Sequence, residues 1–382
     1  MRYPDVVVVG AGVIGAACAE ALSAAGLRVT VLDRGPLGGG TSAAGEGNVL
    51  VSDKGPGPEL DLALASLSRW PDLLADLGAD VEWDAKGGLV VATGVAAAQA
   101  LADFATAQRT AGVTARPVSP AEAFDLEPHL TRKVVAAVHY PQDAQLQPVL
   151  VTKALLAAVR RRGGTLRPGV RVTGVRLADG AVAAVRTDDG DVPCGAVVIA
   201  CGPWSGEVSA AFGSPVTVLP RRGVVLVTAA LPPDTVRHKV YDADYVGAVA
   251  SGEADLQVST VVESTAGGTV LIGSSRERVG FDATLRVEVT RALARRAVGL
   301  FPVLADVPAL RAYGGFRPYA PDHLPIIGPD PRCPGLWHAT GHEGAGIGLA
   351  AATGRLLADL VTGAEPAVDP RPFRVDRPGV CA

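Results

Sequence analysis

The sequence predicts an α/β chain in which a parallel-stranded nucleotide-binding domain is interrupted twice by segments of a second, antiparallel-sheet domain. Three observations carry that prediction. An apolar strand near the start runs directly into a glycine turn and an Ala-rich helix, and a second strand–glycine–helix unit lies near the end. Between them, two blocks alternate apolar and polar residues at the period of a strand.

The first unit is Asp5 and Val6-Val7-Val8-Val9, then Gly10-Ala11-Gly12-Val13-Ile14-Gly15 and an Ala-rich run to Ala25. Gly10 permits the turn, Gly12 lets a pyrophosphate approach bare backbone, and Gly15 lets helix and strand pack closely. The pyrophosphate then sits at the positive end of the helix. Val29-Thr30-Val31-Leu32 reads as the second strand, ended by Asp33, eighteen residues after Gly15. A carboxylate there accepts hydrogen bonds from adenosine ribose hydroxyls and repels a 2′-phosphate. Strand, glycines, helix, strand and acid in that order define a Rossmann-type unit far better than the glycines alone.

Further segments extend the same site. Gly38-Gly39-Gly40-Thr41-Ser42-Ala43-Ala44-Gly45-Glu46-Gly47-Asn48 places five glycines in ten residues, a loop able to lie against a flat ring with its amides exposed. A helix over 149–162 leads to strands around Leu166 and 170–175 and a hairpin at Asp179-Gly180. The run 196–204 is another buried strand entering a small-residue turn. Near the end, Leu336-Trp337-His338-Ala339-Thr340 enters Gly341-His342-Glu343-Gly344-Ala345-Gly346-Ile347-Gly348 and a helix from 349 to about 361, stopped by Gly363 and Pro366. A simple nicotinamide dehydrogenase has no need of this second helix terminus. A flavin does, because a second helix N-terminus holds partial negative charge on a reduced ring.

Residues 86–145 and 221–314 have the strand-like texture, broken by amphipathic helices over 96–111 and 287–300. They predict one antiparallel α+β substrate domain, leaving 1–85, 146–220 and 315–382 as the nucleotide domain. A length of 382 residues suits two cores, and a formal charge of −4 argues against nucleic acid or an anionic membrane as main partner. The longest nearly apolar run, 6–19, is shorter than the ~18 residues of a membrane-spanning candidate. The first strand starts almost at Met1, so no signal peptide is expected. Cysteines 18, 194, 201, 333 and 381 show no C-x-x-C and no metal spacing, which fits free thiols in the cytoplasm.

With these parts in order, the chain resembles flavoenzymes of the D-amino-acid oxidase, glycine oxidase and sarcosine oxidase family over nearly its whole length. The residues that carry the resemblance are the first glycine motif, Asp33-Arg34-Gly35, Thr41-Ser42, Val172, and Ala200-Cys201-Gly202-Pro203-Trp204-Ser205. Gly314-Gly315-Phe316-Arg317-Pro318, Pro321-Asp322-His323-Leu324-Pro325-Ile326-Ile327-Gly328 and the glycine helix at 341–354 complete it. Gly45–Asp61 and 340–346 are similar to a narrower branch, the flavin subunits of D-hydroxyproline dehydrogenase, opine oxidase and hydrogen cyanide synthase. The resemblance implies a glutathione-reductase-like FAD domain, non-covalent FAD, and oxidation of an amine carried by an amino acid. It leaves open an enzyme acting alone on a D-amino, hydroxy-D-proline-like or N-substituted amino acid, a flavin subunit whose partner chains take up electrons, as in the branch, and a biosynthetic amine oxidase cleaving an unusual N-substituted amino acid. A cysteine that anchors flavin covalently in several relatives falls near Gly315, where this chain has none.

The same resemblance makes Arg317 the expected grip on a substrate carboxylate, where a guanidinium fork matches two oxygens. Tyr241 or Tyr245 could add a hydroxyl to that carboxylate or simply pack in the core. Glu46 could hold the substrate ammonium or accept from loop amides. His342 could stabilise the flavin as a cation, hydrogen-bond it when neutral, or pack on backbone. Glu343 is expected to cap the amides of the following helix, Trp204 to support the cofactor turn, and Arg221-Arg222 to pair at a strand entrance. His129, His139, His238 and His323 are expected to be structural.

Overall fold

The computed structural model describes residues 3–381, with residues 248–250 described by their backbone. The first third of the chain contributes β1 (Val6–Val9), α1 (Val13–Ala24), β2 (Val29–Asp33), β3 (Asn48–Val49) and α2 (Pro58–Leu77). It continues through β4 (Gly88–Ala92), α3 (Val95–Thr110), β5 (Arg116–Val118), α4 (Pro120–Leu126), β6 (Ala136–Tyr140) and β7 (Ala144–Gln145). Next come α5 (Pro148–Arg161), β8 (Thr165–Pro168), β9 (Val172–Ala178), β10 (Ala181–Thr187), β11 (Val192–Pro193), β12 (Ala196–Ile199) and α6 (Ser205–Ala211). The second block holds β13 (Leu219–Thr228), β14 (Lys239–Asp242), α7 (Asp244–Ala250), β15 (Gln257–Ser264), β16 (Val270–Arg276), α8 (Val287–Leu300) and β17 (Ala309–Tyr319). The chain finishes with β18 (Ile326–Pro329), β19 (Leu336–Thr340) and α9 (Gly346–Thr362).

Two large sheets result. The first has the order β18-β19-β12-β1-β2-β8 and is parallel except for the edge strand β18. Its central strands are apolar on both faces because both faces are covered. All four residues of β1 are buried, packed on one side against α1 and on the other against the small sheet β11-β10-β9. Helices α1, α5 and α9 stack together beneath it. The α1–α9 approach is so close that a Cβ on Gly354 would lie 2.5 Å from the Ala17 carbonyl oxygen.

The second sheet, β17-β13-β16-β15-β14-β4-β6-β5, draws strands from both alternating blocks. Its pairs are antiparallel with one exception, the parallel pair β14–β4 that joins the two blocks. Alternation gives it two apolar faces. Val224, Leu226, Val240, Val262 and Ile272 pack under α8 through Val289, Leu293, Ala297 and Leu300. Val90, Tyr241 and Val261 face the other way and merge with the core of the first domain. The sheet is therefore a wall lying over the nucleotide half.

The expected helices are present with their ends moved by a residue or so, except that α9 begins at Gly346, three residues before the expected start. The turn at Asp179-Gly180 is a hairpin between β9 and β10 with both residues at positive φ. Helix α2 was not anticipated. Pro58 opens it, and its buried Leu60, Leu62, Trp70, Leu73 and Leu77 face α9 and α5. The expected domain edges at 220/221 and 314/315 fall inside β13 and β17, each a continuous strand. All five cysteines are unpaired. Among the described residues, no helix is long and apolar enough to cross a membrane.

Candidate active site

A cavity of about 510 Å³ opens at the carboxyl ends of β1, β2 and β12 and runs on beneath β13 and β17, the place where parallel α/β sheets hold ligands. Of the residues picked out from the sequence, Gly10, Gly12, Val13, Ile14, Asp33, Arg34, Thr41, Ser42, Gly45, Glu46, Asn48 and Val172 line it. So do Gly202, Trp204, Arg317, His342, Glu343, Gly344, Gly346 and Ile347. Gly15, Gly47, Gly341, Ala345 and Tyr241 do not. Gly15 acts from behind, since a Cβ there would meet the Gly10 carbonyl oxygen at 1.9 Å.

At the nucleotide end, helix α1 follows Gly12, which has no side chain to cap it, and beyond the Val13 amide the next amides of its first turn are left for an anion. The Ser42 hydroxyl accepts from the Val13 amide at 2.9 Å and stands beside that terminus. Asp33 is fixed by two amides, Ala11 at 2.7 Å and Gly35 at 2.8 Å, so its carboxylate is held at the cavity edge. Trp204 supports the wall by packing. It stacks on Phe281 with centroids 5.3 Å apart, and the Arg34 guanidinium lies 4.5 Å above its ring. The Thr41 hydroxyl donates to the Phe316 carbonyl at 2.7 Å, tying the glycine loop to the overlying sheet.

At the other end, Arg317 projects from β17 across Gly223 of β13. A Cβ at position 223 would lie 2.2 Å from Nη1, so only glycine leaves the guanidinium its place. Nη1 donates to the Ser275 carbonyl at 2.9 Å and Nη2 lies 3.5 Å from the Ser274 hydroxyl, both neutral acceptors. Burial, followed by the nearby Arg276, pushes its pKa down to about 10, with Tyr245, Glu46 and Glu343 opposing. The side chain is enclosed by protein yet meets solvent through the cavity.

Several expected roles are corrected. Tyr241 is fully buried and its hydroxyl donates to Ser52, out of reach of the cavity; Tyr245 is the tyrosine that lines it. Glu46 does not accept from loop amides. Its Oε2 accepts from the Asn48 side chain at 3.2 Å, while its buried Oε1 has no partner. His342 is buried with Nε2 3.0 Å from the Thr353 hydroxyl, and burial pushes its pKa down to about 3, which favours the neutral ring over the cation. Glu343 caps no helix amide. It accepts from Arg221 at 2.5 Å and lies 3.0 Å from His323, so Arg221 and His323 serve this site. Arg222 turns to the opposite face and pairs with Glu277 at 2.6 Å.

Lys239 was missed. It is buried on β14, 3.1 Å from Glu263 and 3.9 Å from Glu46, with a further bond to the Asn48 side-chain oxygen. The signal was a lysine two residues before Tyr241 in a strand, hence on the same inward face. Burial pushes Glu263 up to about 7, against the pull of Lys239.

These residues fit a dinucleotide with a reactive ring. One continuous cavity joins an uncapped helix terminus and a ribose-type carboxylate to an enclosed arginine. The buried Nδ1 of His342, on the cavity wall, has no partner of its own. Such a site under a second sheet defines a dinucleotide-dependent redox enzyme. The chain belongs to the DAO family of FAD dependent oxidoreductases, whose model matches residues 5–360, and FAD is its cofactor. It is 32% identical to glycine oxidase of Pseudomonas aeruginosa over 391 residues, covering 96% of this chain and 97% of that one. It is 29% identical to a hydrogen cyanide synthase subunit of the same organism, covering 98% and 96%. The crystal structure of glycine oxidase from Geobacillus kaustophilus superposes with a TM-score of 0.89 at 29% identity, covering 99% of each chain.

Proposed function

We propose that the chain oxidises the C–N bond of a carboxylate-bearing amine, an amino or imino acid. The observation that carries this reading is Arg317, an enclosed guanidinium on the cavity wall whose hydrogen bonds all go to neutral groups. A buried cation without a counter-ion is costly, and a substrate carboxylate offsets that cost. FAD supplies the two-electron acceptor for hydride leaving the substrate carbon. The chain's own residues bind, orient and exclude water. Arg317 fixes the carboxylate and with it the direction of the α C–H bond. Glu46 lies on the same wall with Oε1 buried against Gly273 and without a hydrogen-bond partner; on this reading its carboxylate turns to the ammonium and takes the proton that must leave before nitrogen can share its lone pair. The resulting imine is hydrolysed by water.

Anaerobic reduction of the bound flavin tests this, using D-proline, cis-4-hydroxy-D-proline, sarcosine, glycine, opines and N-alkylated lysines. Bleaching by one or more of them is expected, and a yellow protein that none of them bleaches overturns the reading. The likeness to a hydrogen cyanide synthase subunit favours a second reading within the first, in which a partner chain accepts the electrons. Readmission of air separates the two: prompt reoxidation marks an oxidase, and persistent bleaching marks a dehydrogenase.

A further inference from the structure

We infer that Lys239 and Glu263 are a positioning pair for Glu46: Lys239 turns the Asn48 amide toward the Glu46 carboxylate, and Glu263 takes up the lysine charge, which leaves Glu46 free to accept a proton. This rests on the reading above, in which Glu46 is the group that deprotonates the substrate ammonium.

Lys239 lies on β14 and Glu263 on β15, and the register that sets Val240 beside Val262 continues to bring them together. Both side chains are buried, with Nζ 3.1 Å from Glu263 Oε2 and 3.9 Å from Glu46 Oε2. Nζ also donates to Asn48 Oδ1, so the amide nitrogen of Asn48 is left for Glu46 and donates to its Oε2 at 3.2 Å. An amide turned over would set its oxygen against the carboxylate. Glu46 and Asn48 line the cavity, whereas Lys239 and Glu263 stand behind them. The pair therefore acts through the residues in front of it.

One ammonium thus serves two glutamates. Among the described residues, no other cation pairs with either of them. Lys86, next to β4, is held by Asp84 and the Ser264 carbonyl. Arg317 and Tyr313 of β17 and Tyr245 of α7 lie near the cluster without a hydrogen bond to it. A lysine paired with Glu46 alone would hold that carboxylate ionised and make it a poor base. Glu263 is the nearer partner and offsets the lysine charge. Proton transfer then breaks an N–H bond of the substrate and forms an O–H bond on Glu46, with the electron pair left on nitrogen. The neutral acid stands beside an ion pair that is already balanced, so the three residues carry no net charge in an enclosed place.

The test follows anaerobic flavin reduction against pH in the FAD-loaded protein, by stopped flow, with glycine, sarcosine and D-proline. The low-pH limb belongs to the coupled carboxylates. Glu263→Gln leaves Lys239 to Glu46 alone and should move that limb down by about 1–3 pH units, the effect of an opposite charge at this distance. Lys239→Gln removes the cation and should move it up. The double variant should return it to within about half a pH unit of wild type, and Lys239→Arg should stay close to wild type. A loosened fold has no reason to move the limb in opposite directions in the two single variants. A limb unmoved in both, or moved the same way in both, overturns the inference. So does a limb that persists in Glu46→Gln, which removes Glu46 as the base as well. Should the neutral variants fail to load FAD, Glu263→Asp decides. Its shorter carboxylate loosens the hold on Lys239 and should lower the limb by at least about half a pH unit, and an unmoved limb counts against the pair. Failure of every amine to bleach the flavin is a separate result, which overturns the function itself and this inference with it.

Discussion

Replacing Arg317 by Met removes the guanidinium while keeping a side chain of similar length. Of five N–H donors, the structure commits one to the Ser275 carbonyl and one weakly to the Ser274 hydroxyl. A fork remains for two carboxylate oxygens. Truncating one partner of an enclosed, hydrogen-bonded charge pair costs about 2–5 kcal/mol. Arg317 keeps solvent contact through the cavity, which places the loss toward the lower part of that range, about 3 kcal/mol, or on the order of 150-fold in kcat/KM. Stopped-flow anaerobic flavin reduction, with an amino acid and its decarboxylated amine side by side, reads the effect. The wild type should favour the amino acid, and Arg317→Met should lose that preference by slowing the amino acid alone. Arg317→Lys, a point charge without the fork, should fall between. If Arg317→Met slows both compounds equally, or leaves the amino acid within about twofold of wild type, the carboxylate role is wrong.

Gly223→Ala should displace Arg317 without touching it, because its Cβ falls 2.2 Å from Nη1, a flexible terminus that can move; KM for the amino acid should rise about tenfold with little change in Tm. Asp33→Ala strands the Ala11 and Gly35 amides and the ribose, and should weaken FAD binding by roughly 10- to 100-fold on release assays; undiminished FAD retention contradicts the assignment. Glu59, on the first turn of α2, is pushed up to about 7 by burial, with Asp53 and Glu343 adding to it and Lys54 and His323 opposing. Its folded pKa lies above the ordinary 4.5, so its contribution to stability is present below that value and lost as pH rises to about 7. Glu59→Gln should flatten the Tm–pH curve over that window, and parallel curves for the two proteins count against the shift. His342→Phe breaks the link to Thr353 and should lower Tm. It should leave the pH profile of flavin reduction between pH 5 and 8 unmoved, because His342 is already neutral there; a displaced limb means that the histidine titrates in function.

The nucleotide half was legible because its chemistry belongs to the backbone. A Cβ at Gly10 or Gly15 would strike a backbone oxygen, and Asp33 ends a strand that the motif itself positions. The second helix terminus at 341–348 was readable for the same reason, since a strand, a glycine run and an apolar helix occur in one contiguous stretch. Arg317 came from the Gly-Phe-Arg-Pro resemblance and not from periodicity. Helix α2 was not read from the sequence, although Pro58 suits a first turn and its buried leucines face one side.

The substrate half was harder to read, because its chemistry depends on which side chains meet across strands far apart in sequence. His342 reads from sequence as a titratable residue at a helix entry, but its buried surroundings hold it neutral. Glu343 occupies a capping position, yet its partners are Arg221 of β13 and His323. Glu46 and Lys239 meet only because β14 lies over the glycine loop. The expected cofactor residues thus lie in short contiguous motifs, whereas the proposed substrate contacts come from inward positions on an antiparallel sheet. A change at one of those positions alters the charge facing the ligand while the Rossmann half stays intact. Relatives can therefore share nearly the whole fold and differ in the amine they oxidise.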